Sequence, residues 1–285
     1  MDPRQRPYRS VLYIPGSKER ALEKARSLSV DAIIFDLEDA VAADEKENAR
    51  ETLKAALIAG GYGSRVKIVR INGLDTEWGR ADALAVREMD ADVVLLPKVN
   101  SASDVQALST ITGDLPIWAM METPRGMLNA AEIAAHPLVA GFVMGTNDLA
   151  KELQTRFQPD RLPLMTSLGL CLLAAKAESL IIVDGVYNAF KDDDGLAAEC
   201  DQGRAMGFDG KTLIHPAQVE IANSAFAPSD AEVDLARRQI AAFEEVEAQG
   251  LGVAVVDGKI VENLHIVTAR EILAKAEAIS ELQAG

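Results

Sequence analysis

Cysteine and histidine are scarce in this sequence of 285 residues, with two of the first and three of the second. Two cysteines cannot supply a disulfide framework, and so few thiols and imidazoles argue against a zinc site. Cys171 lies in the apolar run Leu168–Ala175 and reads as core, whereas Cys200 lies in a polar helical stretch. This usage fits a reducing cytoplasm, the expected location. Long apolar runs are missing as well. None approaches the roughly 20 residues that span a bilayer, and the opening MDPRQRPYRS lacks the apolar stretch of a secretory signal. Positive charge is in deficit: 29 Lys and Arg stand against 44 Asp and Glu, a formal net charge of −15. A field of that sign repels a phosphate backbone, which speaks against nucleic acid as a partner. A local basic patch can still hold a small phosphorylated ligand.

What the sequence has is a regular alternation of strand and helix. Eight apolar runs of strand character occur, at Ser10–Pro15, Ala32–Leu37, Lys67–Asn72, Val93–Val99, Pro116–Thr123, Gly141–Thr146, Ile181–Val186 and Gly210–His215. Helical segments follow them, at Lys18–Leu28, Asp44–Ala59, Glu77–Met89, Ser101–Ile111, Gly126–Ala135, Pro163–Leu180, Asp192–Met206 and Pro216–Ser224. Continuous apolar strands alternating with amphipathic helices predict a parallel sheet covered by helices. Eight such units predict an α/β fold, a (β/α)8 TIM barrel over residues 1–225. An open doubly wound sheet is disfavoured, because no Gly-x-Gly-x-x-Gly turn follows the first strand. Residues 226–285 form a C-terminal extension. Ser229–Ala248 reads as a helix capped by Ser229 and Asp230, Gly252–Val261 as a hairpin turning at Asp257-Gly258, and Leu264–Leu282 as a second helix.

In a TIM barrel the active site lies at the C-terminal ends of the strands. Those ends carry Asp36, Glu38 and Asp39, then Arg70 and Asn72, Lys98, Glu122, Asn147 and Asp148, Asp184, and His215. A barrel without a site has no need of so many charges on one rim. Glu122 and Asp148 end successive strands and can converge on one point. Alone, each reads equally well as a helix-start residue. Together, beside the acidic end of the second strand, they favour Mg²⁺, which takes one or two carboxylates and completes its shell with water and substrate oxygens. Asp36, Glu38 and Asp39 can then hold metal-bound waters or orient a cation. Arg70 is a planar two-point donor suited to a carboxylate, or else the charge balance of the acidic rim. The turn Pro15-Gly16-Ser17-Lys18 opens a helix with Arg20 and Lys24 nearby, a pattern that fits a phosphate site and equally an ordinary solvated helix face.

These residues resemble the citrate lyase β-subunit and malyl-CoA lyase family, within the HpcH/HpaI aldolase group. The motifs run in order along nearly the whole chain: Arg9-Ser10 and Pro15-Gly16, FDLEDAV at Phe35–Val41, Lys46 to Arg50, VRINGLDT at Val69–Thr76, LPK at Leu96–Lys98, ETPRG at Glu122–Gly126, GTNDLA at Gly145–Ala150, Asp184-Gly185, and GFDGKTLIHPAQ at Gly207–Gln218. The resemblance implies Mg²⁺ (with Mn²⁺ as a substitute) on Glu122 and Asp148, and Arg70 on the acid end of the substrate. It implies coenzyme A, carried as part of the substrate, against Tyr13, Lys18, Lys24, Ile214 and His215. It also implies an extension that packs on a neighbouring subunit of a homotrimer or homohexamer.

One position departs from the family pattern. The tail aspartate that acts in the neighbour's site is here Glu262, which keeps the carboxylate and adds a methylene. The chain looks like the variant of this family that hydrolyses (3S)-malyl-CoA to malate and free coenzyme A. On that reading Glu262, Arg70, Asp36 and Glu38 are the catalytic residues, Arg70 and Asn147 also face substrate, and Glu262 activates a water. The alternatives are a malyl-CoA or citramalyl-CoA C–C lyase giving glyoxylate or pyruvate and acetyl-CoA, a citrate lyase β-type subunit, an aldolase that does not use coenzyme A, and a silent binding protein.

Overall fold

The computed structural model describes residues 6–284. Eight strands, β1 (Ser10–Pro15), β2 (Ala32–Asp36), β3 (Val66–Arg70), β4 (Val93–Leu96), β5 (Ile117–Met121), β6 (Val139–Met144), β7 (Ile181–Asp184) and β8 (Gly210–Leu213), close in sequence order into a barrel. All eight pairings are parallel, and β1 closes the ring by pairing with both β2 and β8. The TIM barrel expected from the alternation is the fold observed.

The side-chain period of two divides each strand between two cores. One set, including Val11, Ile34, Ile68, Leu95, Trp118, Met120 and Val183, packs as a separate cluster of buried residues. The larger set, including Phe35, Val69, Ala119, Phe142 and Ile182, packs together with helix residues such as Leu53, Val105 and Leu168. Trp118 occupies its place because Gly141 on β6 yields the space: a Cβ there would meet the indole at 2.6 Å. At the start of β1, Arg9 donates from Nε and Nη2 to the two carboxylate oxygens of Asp31 at 2.9 and 2.8 Å. Arg9 is thus part of the scaffold.

Some expected helices are differently cut. The segment after β5 is two short helices, Pro124–Leu128 and Ala130–Ala134, because Asn129 leaves helical angles while its amide donates to the Asn100 carbonyl at 2.8 Å. A short helix, Thr146–Glu152, precedes the expected one after β6, which begins at Met165. β8 stops at Leu213, so His215 is not in a strand. It caps the turn Pro216–Gln218, its Nδ1 accepting from the Ala217 amide at 3.1 Å.

The chain divides into two compact units, the barrel over Tyr8–Phe226 and a second unit from Ala227 onward. The second unit comprises a helix at Asp230–Glu247, an antiparallel pair β9 (Ala254–Val256) and β10 (Lys259–Val261), and a helix at Asn263–Ala284. Ser229 caps the first helix in a capping box with Glu232. Asp257 and Gly258 both have positive φ, 50° and 74°, as a tight two-residue hairpin turn requires. Its own core is Phe243, Ala254, Val256, Val261 and Ile266. Among the described residues, no helix is long and apolar enough to cross a membrane.

Candidate active site

Asp36 and Arg70 are register partners at the C-terminal ends of β2 and β3. Both are buried, and the guanidinium grips the carboxylate with two bonds, Nε to Oδ1 at 2.7 Å and Nη2 to Oδ2 at 2.6 Å. Asp36 also accepts from the amides of Glu38 and Ala40, which shapes the loop that follows. Two of the three guanidinium nitrogens are therefore committed. The third, Nη1, lies 2.8 Å from Glu38 Oε2 and 3.6 Å from Met120 Sδ. The Tyr13 ring stacks 4.9 Å from the Arg70 Cζ. Tyr13 thus braces the arginine, and burial pushes its phenol up.

Glu122 follows β5 and is 1% exposed. Its Oε1 accepts from the Lys98 amide at 2.8 Å, a bond made possible by the left-handed backbone at Lys98, φ 51°. Strain at a lysine of this kind persists where the surroundings impose it. The other face of Glu122 rests on Gly145, where an added Cβ would lie 2.5 Å from Oε2. Asp148 stands in the first turn of the helix that Gly145 caps. Burial pushes the Glu122 carboxyl up to about 8, and the negative charges of Glu38 and Asp148 add to it. Glu38 is raised for the same first reason, burial, although Arg70 opposes the shift. Burial works against the Lys98 ammonium, but Glu38, Glu122 and Asp148 outweigh it and hold its pKa up. Its Nζ lies 3.8 Å from Glu38 Oε1.

Carboxylates thus outnumber nearby cations, and the donors are hard oxygens. Among the described residues, no group of three or more His, Cys, Asp and Glu is placed to hold a metal. Hard-oxygen donors suit Mg²⁺, which needs only one or two protein carboxylates and completes its shell with water and substrate oxygens.

A cavity of about 310 Å³ brings Tyr13, Asp36, Arg70, Asn147, Asp148 and Ile214 together. A larger one, about 780 Å³, opens on Glu38, Lys98, Thr123 and Arg125. Lys18 and Lys24 are exposed at the start and within the helix Glu19–Ala25 that follows β1. His215 stacks on Phe190, with ring centroids 4.8 Å apart. Asn147 is held by a reciprocal amide pair with Asn188, at 3.2 and 2.8 Å. Glu262 is exposed in the second unit, between β10 and the last helix, and its amide donates to His265 Nδ1 at 3.0 Å.

Sequence reasoning missed several supports. Lys46 donates to the carbonyls of Leu37 and Glu38 at 2.9 and 2.6 Å, tying down the acidic loop. Asp82 accepts from Asn72 and from Arg50, which locks the end of β3. Nothing local marks Asp82, since its partners lie in other elements. Asp184, counted on the rim, is consumed by Arg161 at 2.6 Å and Lys211 at 3.1 Å. Burial opposes its charge, but those two cations outweigh it and hold the carboxyl below its usual value.

A family model described as HpcH/HpaI aldolase/citrate lyase matches residues 9–216, and one described as a C–C bond lyase of the TIM-barrel fold matches residues 163–280. A (3S)-malyl-CoA thioesterase of Cereibacter sphaeroides is 72% identical over 274 residues, 96% of each chain. The citrate lyase subunit beta of Escherichia coli is 36% identical over 281 residues, 94% of this chain and 93% of that one. Among solved structures, CitE of Mycobacterium tuberculosis in complex with magnesium, acetoacetate and coenzyme A matches with a TM-score of 0.79 at 29% identity, covering 95% of this chain and 98% of the other. The motifs on the strand ends, the closed barrel and relatives matched almost end to end agree on one placement: the chain belongs to the HpcH/HpaI aldolase/citrate lyase family.

Proposed function

We propose that this chain hydrolyses (3S)-malyl-CoA to malate and free coenzyme A in a Mg²⁺-dependent reaction. The observation that carries the reading is the 72% identity, over 96% of both chains, to a (3S)-malyl-CoA thioesterase. Magnesium is supported by the complex of CitE and by the hard-oxygen pair Glu122 and Asp148. Mn²⁺ offers similar coordination and serves as a substitute. Bound there, the metal supplies Lewis-acid polarisation of a substrate oxygen.

The chain's own residues do the rest. Arg70 presents Nη1, the one guanidinium nitrogen that Asp36 leaves uncommitted, to the malyl carboxylate, while Asp36 and the Tyr13 ring fix its plane. Glu38 and Lys98 border the same space and balance its charge. Lys18 and Lys24 meet the phosphates of coenzyme A, and Ile214 and His215 flank its arm. Asn147 faces the acyl group from the start of the helix after β6. Glu262 comes from a neighbouring subunit, on which the unit beyond the barrel packs in a homotrimer or homohexamer, and its longer side chain aims a water at the thioester carbonyl. The enzyme works in the cytoplasm.

A second reading is C–C cleavage to glyoxylate and acetyl-CoA, favoured by the C–C bond lyase model over residues 163–280. Purified protein incubated with (3S)-malyl-CoA and Mg²⁺ decides between them when free thiol and glyoxylate are assayed in parallel. Thiol without glyoxylate is expected. Glyoxylate with acetyl-CoA overturns the hydrolase.

A further inference from the structure

Beside the cavity that holds Arg70 and Asp148 lies a second one of about 430 Å³, larger than the first. Its lining is mostly apolar, with Phe157, Pro159, Leu164, Tyr187 and Ala189 among its walls. Thr146 and Val186 face both cavities. Asn147 lines the first and Asn188 the second, and their side-chain amides are bonded to each other in both directions at 3.2 and 2.8 Å. An amide pair thus links the start of the helix after β6 to the loop after β7 across the boundary between the two cavities.

The outer wall of the second cavity is not a loose loop. Arg161, 5% exposed and in a left-handed backbone conformation at φ 54°, drives its guanidinium onto Asp184 at the end of β7 and onto Gln202 at 2.7 Å. Arg161 thus anchors to the barrel the end of the segment that carries Phe157 and Pro159, which fixes that side of the hollow. An apolar hollow beside a reaction site takes apolar groups of the substrate, at a lower ordering cost where its wall is already fixed.

We infer that this cavity is a latent acyl-substituent subsite of the same active site, and that the Asn147–Asn188 pair is the partition that sets the upper size of the acyl group. The ligand class is a 3-hydroxyacyl-CoA of malyl type carrying an added alkyl group on its acyl chain. Asn188 is a specificity-determining residue that acts through Asn147. The inference rests on the proposed reaction for its substrate, but its geometry is independent of which bond breaks.

The test compares (3S)-malyl-CoA with analogues bearing a butyl group at carbon 2 or carbon 3. It uses the full-length wild type, Asn188→Ala, and Asn188→Ala combined with Ala189→Trp, which places a bulky side chain on an exposed residue of the hollow's lining. Asn188→Ser provides a milder opening should alanine unsettle the loop. The expected result is a rise of roughly tenfold in the butyl-to-malyl ratio of kcat/KM on opening the pair. The rise comes through KM, and the tryptophan abolishes it. Dissociation constants for the same thioesters, measured by calorimetry with EDTA present, must move in the same sense. An unchanged ratio for both analogues in the opened variants overturns the inference, as does a gain that survives Ala189→Trp. Should the wild type fail to turn over (3S)-malyl-CoA, the proposed reaction falls, while the calorimetric ratio still decides the role of the amide pair.

Discussion

Arg70 is locked to Asp36, its register partner on the adjacent strand, by two parallel bonds of 2.7 and 2.6 Å in a buried setting. The arginine is therefore held rigid, with Nη1, beside Glu38 Oε2 at 2.8 Å, as the one nitrogen that Asp36 does not take. Asp36→Ala should free the guanidinium and leave it buried without its partner. The expected loss is about 3 kcal/mol of stability, together with a fall in kcat/KM of about 10²-fold through lost positioning. Thermal melts and initial rates with (3S)-malyl-CoA check both. Full activity in a destabilised protein would show that the fork matters only for folding.

Gly145 gives the proposed metal site a steric test. An added Cβ would lie 2.4 Å from the Glu122 Cβ and 2.5 Å from Oε2. Gly145→Ala should displace that carboxylate and weaken Mg²⁺ binding with little change in far-UV circular dichroism. Glu122→Gln should match it in calorimetric titration with Mg²⁺, and both should lower kcat by about 10²-fold or more.

The pH dependence of the metal-free protein follows from Glu122, raised to about 8 by burial. The folded protein keeps a proton there that the unfolded chain releases near its ordinary value. The associated stability is thus fully present below about pH 4.5 and is lost as pH rises through about 8. Melting temperatures in EDTA should fall across that window. Saturating Mg²⁺ should remove the slope, because the cation replaces the proton, and Glu122→Gln should remove it without metal.

Asp184 should behave as a scaffold residue. It is fully buried between Arg161 and Lys211. Asp184→Asn should cost about 3–5 kcal/mol in denaturant unfolding, since it leaves two cations short of their counter-charge. The KM of any variant that still folds should stay near that of the wild type.

Glu262→Asp tests the length of the tail carboxylate. Loss of thiol release with the appearance of glyoxylate is expected. Unchanged thiol release with no glyoxylate would show that the extra methylene has no part in the choice of reaction.

The barrel and the charged rim that carries its candidate site were legible because both rest on local pattern. Apolar strands in a parallel barrel are buried on both sides, so they stand out as continuous runs, and the charges that interrupt Phe35-Asp36 or Met121-Glu122 mark the rim. His215 was misplaced in a strand because Leu213-Ile214 continues the apolar run, while the cap it makes on Ala217 depends on a backbone turn. Asp184 looked like a rim acid because its neutralising partners are 23 and 27 residues away.

Composition and residue order by themselves determined the class of fold, the acidic field, the candidate metal pair and the family. The fold class follows from periodicity, the acidic field from composition, the candidate pair from residue types at strand ends and the family from a resemblance carried by ordered motifs, none of which needs knowledge of distance. Only the tertiary structure decided which charges are free to act. It showed that Asp36 takes two of the three Arg70 nitrogens, that Asp184 is spent on Arg161 and Lys211, that the Lys98 backbone holds Glu122, and that an amide pair separates two cavities. The reason is physical. A charge acts on substrate or on scaffold according to what lies within about 3 Å of it, and barrel closure brings together residues that the chain keeps far apart.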